Sequence, residues 1–586
     1  MRYPAGRLGS HVYQGLSTLG AVMALVAIGW ISSPAAAQTS ADTANPDTVS
    51  GEVPEEMFFE VVNVNLVNVL VWVTDKKGEP ITGLAKEDFE IFEDGRPVEV
   101  TNFFAVERGR PAAGSVVEGV APEVVPGRPP IPLIPTLPED QRLYLIVYVD
   151  NFNLAPANRN RVLNRLQGFL YGKLGPDDQV MLVSYDRSLH VRQPFTTNIR
   201  LVLVGLEELQ ALSGHQVDRL AGRRRALEEI EEVDWAGAAI SAARSHADLV
   251  YAEMDFTLRA LGDLMQALSG LQGRKALLYI SDGLPMSVAE DLFIAVDERF
   301  PRASARGEAF AYDLQPEFRR LAAQANTSGL TFYTLDSGGA EIHSSLSAEE
   351  GGTRQGGGRI YVDSIYNANL QEPLYLMADI TGGIAFTNTN AVEASLDRMS
   401  RDFSNFYSLG FHPGHNGSGR YYKLEVKVRK GLRVRHRRGY RDQTAQSRMA
   451  DGSLSSLYFG FQRNDINARV VFERPRPRDG NSYLVPVEIR IPLSSLTLVP
   501  QGERHIGRFR ITVTVMDDEG RLSPVQQKEP VTVTIPAGEL EKALSQHVTY
   551  DLKLVMRKGV NRLAVGIRDE IAGEAFFVHE TIRVGG

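Results

Sequence analysis

Two aspartates, Asp150 and Asp282, each stand at the carboxyl end of an apolar run. Carboxylates so placed can coordinate a hard divalent cation or serve aspartate-dependent phosphoryl transfer. The first run is Leu143–Val149 and the second Ala276–Ile280, the latter followed by Ser281, Asp282 and Gly283. Runs this apolar, separated by helical patterns, read as strands buried on both faces of a parallel sheet. Such sheets take ligands just beyond the strand carboxyl ends, so the two carboxylates should face one crevice. Asp186 follows a third run (179–185) and Asp336 a fourth (330–335). The candidate binding residues are therefore Asp150, Asn151, Asp186, Ser281, Asp282, Gly283 and Asp336. The competing reading is local: Asp150 caps the turn that follows it, and Asp282 fixes its own turn through Gly283. For Asp186 and Asp336 the local reading is the stronger one.

Other constellations carry less. His412 and His415 form a loop pair without a neighbouring carboxylate cluster in the sequence, which reads as solvated rather than metal-binding. The basic run Arg433–Arg438 alternates with Val434 and reads as an edge strand whose charged face discourages pairing. Residues 517–520 are too short for an EF-hand loop and fit a hairpin turn. The sequence contains no Gly-x-Ser-x-Gly, His-Glu-x-x-His or phosphate-binding Gly-x-x-x-x-Gly-Lys.

The elements that must position the aspartates follow from periodicity. Residues 140–440 alternate strand and helix signals, and this predicts a doubly wound, mostly parallel α/β sheet. A long helical stretch, about 207–253, reads as an inserted helical hairpin whose apolar stripe (Leu227, Ile230, Val233, Ala236, Ile240, Ala243) lies against the sheet. Residues 56–106 carry two hairpin signals and predict a small β domain, followed by a Pro-rich linker at 107–139. Residues 441–455, with their Gln, Ser, Asp and Gly, read as a second linker, and 456–586 as an immunoglobulin-like β-sandwich.

Arg2 and Arg7 precede an apolar stretch and the small residues Pro34–Ala37, the layout of a signal peptide over residues 1–37 cleaved after Ala37. A polar leader over 38–55 follows. These features predict export to the periplasm or beyond, with no transmembrane span left after signal removal. The alternative is that the segment is retained as an anchor. The 586 residues contain no cysteine, which excludes disulfides, thiolate metal sites and lipoprotein attachment. A net charge of −9 argues against nucleic acid as a partner.

Three blocks, Val73–Gly95, Gly273–Gly283 and Tyr407–Pro413 with Arg437–Tyr440, together resemble bacterial exported proteins of the von Willebrand factor A-related type, over about 58–440. The resemblance implies a Rossmann-like A domain that binds a protein or cell-surface ligand and is not an enzyme. It also implies a divalent cation held by an Asp-x-Ser-x-Ser stretch, a threonine and a later aspartate, with an acidic group of the partner at the open position. Asp150 matches the leading aspartate and Asp282 the late one, but Phe152 and Leu154 occupy the serine positions, and Thr257 is the threonine nearest the middle loop. The degenerate site would hold Mg²⁺ or another divalent cation through Asp150, Asn153 and Asp282. Asn151 is the alternative carbonyl donor. Two further readings stay open. One is a structural envelope scaffold with a metal-free, inactive crevice. The other is a phosphoryl-transfer enzyme, against which Phe152 stands where a second aspartate would be needed.

Overall fold

A computed structural model describes residues 66–112, 137–138, 141–214, 216–339, 356–429 and 431–585. The expected signal, the leader and most of the Pro-rich linker lie outside these residues.

In chain order, the protein begins with β1 (Val67–Thr74), β2 (Phe89–Glu93), β3 (Arg96–Val98), β4 (Asn102–Glu107) and the two-residue β5 (Arg110–Pro111). The α/β segment follows. Its strands are β6 (Leu143–Asp150), β7 (Gln179–Tyr185), β8 (Leu189–Thr196), β9 (Arg274–Ser281), β10 (Leu330–Asp336) and β11 (Ile384–Phe386). Its helices are α1 (Pro156–Gly172), α2 (Ile199–Gln210), α3 (Gln216–Glu232), α4 (Ala236–Ser269), α5 (Glu290–Arg299), α6 (Gln315–Thr327), α7 (Gly356–Thr381) and α8 (Val392–Ser404).

The sheet order is β11-β10-β9-β6-β7-β8, all parallel except the antiparallel β7–β8 edge. Counting only these six strands, the order is 6-5-4-1-2-3. That is the doubly wound arrangement, with its reversal between β6 and β9. Both faces of the sheet are covered, which explains the unbroken apolar runs. On β6, Leu145, Val147 and Val149 pack with α1, α2 and α8, whereas Tyr144, Ile146 and Tyr148 pack with α4 to α7. The inserted stretch forms a hairpin of α3 and α4, and Leu227, Ile230 and Ala243 of its stripe are buried in the core of that second face.

Residues 66–106 do not stand alone as the expected small domain. β1 pairs with β12 (Phe406–Phe411) and β14 (Arg433–His436), β4 pairs with β12, and β2 pairs with β13 (Tyr421–Val428). Together with β15 (Gly439–Arg441) these strands make two sheets over one core of Val69, Val71, Phe89, Ile91, Leu409, Phe411 and Val426. Residues 406–441 therefore belong with the N-terminal strands rather than with the α/β sheet. The physical reason is that the valine-rich β1 needs a neighbour on each edge, and only the strands after α8 supply them.

β14 does lie at a sheet edge with Arg433 exposed, yet Arg435 and, just after the strand, Arg437 turn inward. Arg435 donates to both oxygens of the buried Asp402 on α8 (2.7 and 2.8 Å), while Arg437 donates to the carbonyls of Asn326 (2.9 Å) and Asn68 (2.7 Å). Trp72 Nε1 donates to the Asp402 carbonyl at 3.0 Å. The run expected to repel partners instead ties the β unit to the α/β unit.

The expected 441–455 linker is largely helical: α9 spans Ala445–Phe459. Its Ser and Gly residues serve close approach rather than flexibility. A Cβ on Gly452 would lie 2.1 Å from the Phe577 ring, and one on Gly270, at the end of α4, 2.5 Å from the Asp451 carbonyl. Beyond α9, strands of two antiparallel sheets share a single core, in which Val487 and Ile489 meet Ile511, Val513, Val565 and Ile567. Among the described residues no helix is long and apolar enough to cross a membrane.

Gly452→Ala is expected to destabilise by about 1–3 kcal/mol through overpacking against Phe577. Gly168→Ala, in α1 with nothing within 4 Å of the new methyl, should stabilise by up to about 1 kcal/mol. Chemical denaturation of the two variants side by side checks the sign of each.

Candidate functional site

Asp150 ends β6 and Asp282 follows β9, so both lie where the strand order reverses. The chain folds over them. Asp150, Asn151, Asn153 and Ser281 are 0% exposed and Asp282 is 9% exposed.

Every carboxylate oxygen of the pair meets a protein donor. Asp150 Oδ1 accepts the Asn153 backbone N–H (3.2 Å), and Oδ2 accepts the Asn153 side-chain amide (2.9 Å) and the Tyr279 hydroxyl. Asp282 Oδ2 accepts the Ala155 N–H (2.8 Å) and the Asn158 amide (3.1 Å), while Oδ1 accepts the Ser337 hydroxyl (2.6 Å). Gln216, at the start of α3, also hydrogen-bonds the Asp282 carboxylate. Burial pushes both carboxyl pKa values up, and these donors pull them partly back.

Asn153 is the hub. Its carbonyl accepts the Asp282 N–H (3.1 Å) and the Ser281 hydroxyl (3.3 Å), and its side-chain oxygen accepts from Arg219 of α3. The guanidinium of Arg219 thus stands one residue away from Asp150, and its charge lowers the Asp150 pKa. Asn151 takes a different course. It accepts from the fully buried Arg159 and donates to the Ser213 carbonyl at 2.9 Å, while Arg159 holds the carbonyls of Gln210 (3.1 Å) and Leu212 (2.7 Å). Gly283, at φ +105°, lets the chain pass α7: a Cβ there would lie 2.6 Å from the Leu370 carbonyl.

Asp336 lies beside Asp282 electrostatically and accepts from Gly338 N–H (3.0 Å) and Gln371 Nε2 (2.9 Å). Asp186 is not gathered into this cluster; it occupies a turn, its N–H donating to the Ser188 carbonyl at 3.0 Å.

The residues expected to hold a cation do not fit one. Phe152 and Leu154 are buried and bring no oxygen. Thr257 is fully buried within α4, where its hydroxyl donates to the Glu253 carbonyl at 3.0 Å. The oxygens of Asp150 and Asp282 already face N–H and O–H donors, whereas Mg²⁺ requires near-octahedral oxygen ligation. Among the described residues no group of three His, Cys, Asp or Glu side chains could hold a metal. Residues 412–415 also differ from expectation, because His415 is not left to solvent. Its Nδ1 lies 2.9 Å from Asp442 and its Nε2 3.2 Å from Glu93, with the ring stacked on Tyr422 at 3.7 Å.

Sequence reasoning missed Tyr279, Asn158, Ser337, Arg159 and the polar face of α3. The last had a signal: Gln216, Arg219 and Arg223 recur at i, i+3 and i+7, one helical face.

No protein-family model and no curated protein matches the sequence. Solved structures similar to it include an aerotolerance-related membrane protein from Bacteroides fragilis (12% identity, 44% of this chain and 98% of that one, TM-score 0.22). Also similar are a von Willebrand factor type A protein from Catenulispora acidiphila (9%, 75% and 66%, 0.21) and the vWF domain of the pilus tip protein Mfa5 from Porphyromonas gingivalis (12%, 44% and 94%, 0.22). At these TM-scores the α/β assignment rests on the strand order itself.

Two outcomes follow. Tyr279→Phe leaves a buried carboxylate short of one donor and should destabilise by about 1–3 kcal/mol, measured by denaturant unfolding. Burial pushes Asp336 up to about 6 from 3.8. A carboxyl with a native pKa above its unfolded one binds more protons when folded, so stability falls as pH rises from roughly 4 to 6. Asp336→Asn should therefore reduce that slope and stabilise the protein at pH 7 by about 1–3 kcal/mol; an unchanged slope would contradict this.

Proposed function

We propose that the protein is an exported, non-enzymatic binding protein whose α/β unit supports recognition of a protein or cell-surface ligand without a bound cation. The observation that carries this reading is the Arg219–Asn153–Asp150 chain, in which a protein cation offsets the carboxylate at the switch point. A carboxylate that accepts three hydrogen bonds, leaving about one lone-pair site, at zero exposure has no open path to a substrate, which speaks against Asp150 as base, nucleophile or metal ligand. The same closure favours, as a second reading, an envelope scaffold whose contacts lie on the β units.

Isothermal titration of the purified chain with Mg²⁺, Mn²⁺ and Ca²⁺ should give no saturable heat, and EDTA should leave its melting temperature unchanged. Labelled protein should bind isolated envelopes saturably and equally well in EDTA. Sub-millimolar cation binding abolished by Asp150→Ala would overturn the cation-free reading, and envelope binding that requires Mg²⁺ would do the same. Absence of saturable binding would favour the scaffold.

A further inference from the structure

One sheet of the C-terminal unit has β16 (Arg469–Phe472) and β17 (Arg476–Pro477) along one edge, β18 (Ser482–Pro492) in the middle and the strand His547–Arg557 along the other edge. The two edges are built differently. The first is broken between β16 and β17 and carries Pro475 and Pro477, which withhold ladder donors, among Arg474, Arg476 and Arg478; prolines and charges are the usual protection of a free edge. The second runs for 11 residues without a proline or glycine, and among the described residues it pairs with β18 alone. In the facing sheet the edge strand Ala575–Val584 is partly covered, because Phe577 exchanges both backbone hydrogen bonds with Arg463 (3.0 and 2.8 Å). Among the described residues no backbone group does the same for His547–Arg557.

The side chains of this strand alternate cleanly. Tyr550, Leu552, Leu554 and Met556 pack with the core, so no inward-pointing charge guards the edge. On the outward face Asp551 and Lys553 are exposed, and neither has an ion pair among the described residues. Their cross-strand neighbours on β18 supply none. Asp551 stands opposite Glu488, which Arg490 already holds at 2.8 and 2.9 Å, and Lys553 stands opposite Pro486.

We propose that this edge pairs with the same edge of a second copy of the chain, antiparallel, with the two-fold axis at Leu552. In that register Asp551 of each copy faces Lys553 of the other, Thr549 faces Val555, and Leu552 faces itself on the core side. Residues directly opposite in an antiparallel pair share a face and lie about 4.5–5.5 Å apart, so both opposite-charge pairs can form. Charge also selects the axis. Moved one residue either way, it would set Asp551 against Asp551 or Lys553 against Lys553, and like charges directly opposite are destabilising. A two-fold contact of this kind uses the same patch on both copies, so it closes at the dimer and does not propagate into a fibre. The dimer carries two α/β units, and a surface ligand would be held bivalently.

The test is sedimentation velocity of the full exported chain. Wild type should pass from monomer to dimer across roughly 1–100 μM. Asp551→Lys and Lys553→Asp should each raise the dimer dissociation constant about ten-fold or more, while leaving the melting of the monomer unchanged because both residues are exposed. The double variant Asp551→Lys/Lys553→Asp should restore association, since the swap regenerates both pairs. The chain has no cysteine of its own, so mixing Thr549→Cys protein with Val555→Cys protein under mild oxidation reads the register: the mixture should crosslink and neither variant alone should. A dimer indifferent to the single charge reversals, a double variant no better than the singles, or crosslinking by either cysteine variant alone would overturn the proposal. A chain that stays monomeric throughout would also overturn it, and would leave the edge to an extended segment of another protein.

Discussion

A carboxylate at the end of a buried strand must be hydrogen-bonded, paired or neutralised, because an isolated charge moved out of water costs several kcal/mol. Asp150 sets that constraint for the α/β unit. It ends the central strand of a doubly wound sheet, at the reversal of strand order, with no exposed surface. The chain meets the requirement with Asn153, which turns back on Asp150 with both backbone and side chain, and with Tyr279, which reaches across from the neighbouring strand. Arg219 of α3, hydrogen-bonded to Asn153, adds a smaller favourable charge, while burial still holds the Asp150 carboxyl above its usual pKa. The inserted hairpin is thus more than a covered apolar stripe: its apolar face packs on the sheet while its polar face closes the crevice.

A related constraint governs the junction between the α/β and N-terminal β units. Asp402 is buried on α8 and accepts from Arg435 and from the Tyr333 hydroxyl (3.0 Å), and its backbone carbonyl accepts from Trp72. Two of these three donors, Trp72 and Arg435, come from strands far apart in sequence that pair with one another. Breaking such a buried pair by removing one partner is strongly destabilising, so the β unit and the α/β unit are tied electrostatically as well as by the chain that runs between them.

The α/β sheet was legible in the sequence because buried parallel strands give long apolar runs that helical periods cannot imitate. The positions of Asp150 and Asp282 at the reversal followed from the same rule. The pairing of strands distant in sequence was not legible: β1 and β12 are separated by more than three hundred residues, and each alone looks like part of a local unit. Nor was α9, because Gly452, Ser453 and Ser455 have linker composition although they are buried, with Gly452 close against the Phe577 ring. At the site, Phe152 and Leu154 already argued against metal ligation. What took its place was hidden, since the donors Tyr279, Ser337 and Asn158 are brought in by three separate elements.

The central claim is that Arg219 compensates Asp150 in place of a metal ion. A double-mutant cycle of Arg219→Gln with Asp150→Asn, measured by denaturant unfolding in EDTA, tests it most directly. The account predicts a coupling of about 1 kcal/mol or more, with Arg219→Gln costing markedly less once Asp150 is already neutral. Coupling indistinguishable from zero would show that Arg219 does not stabilise Asp150, and the cation-free account of the switch point would be wrong.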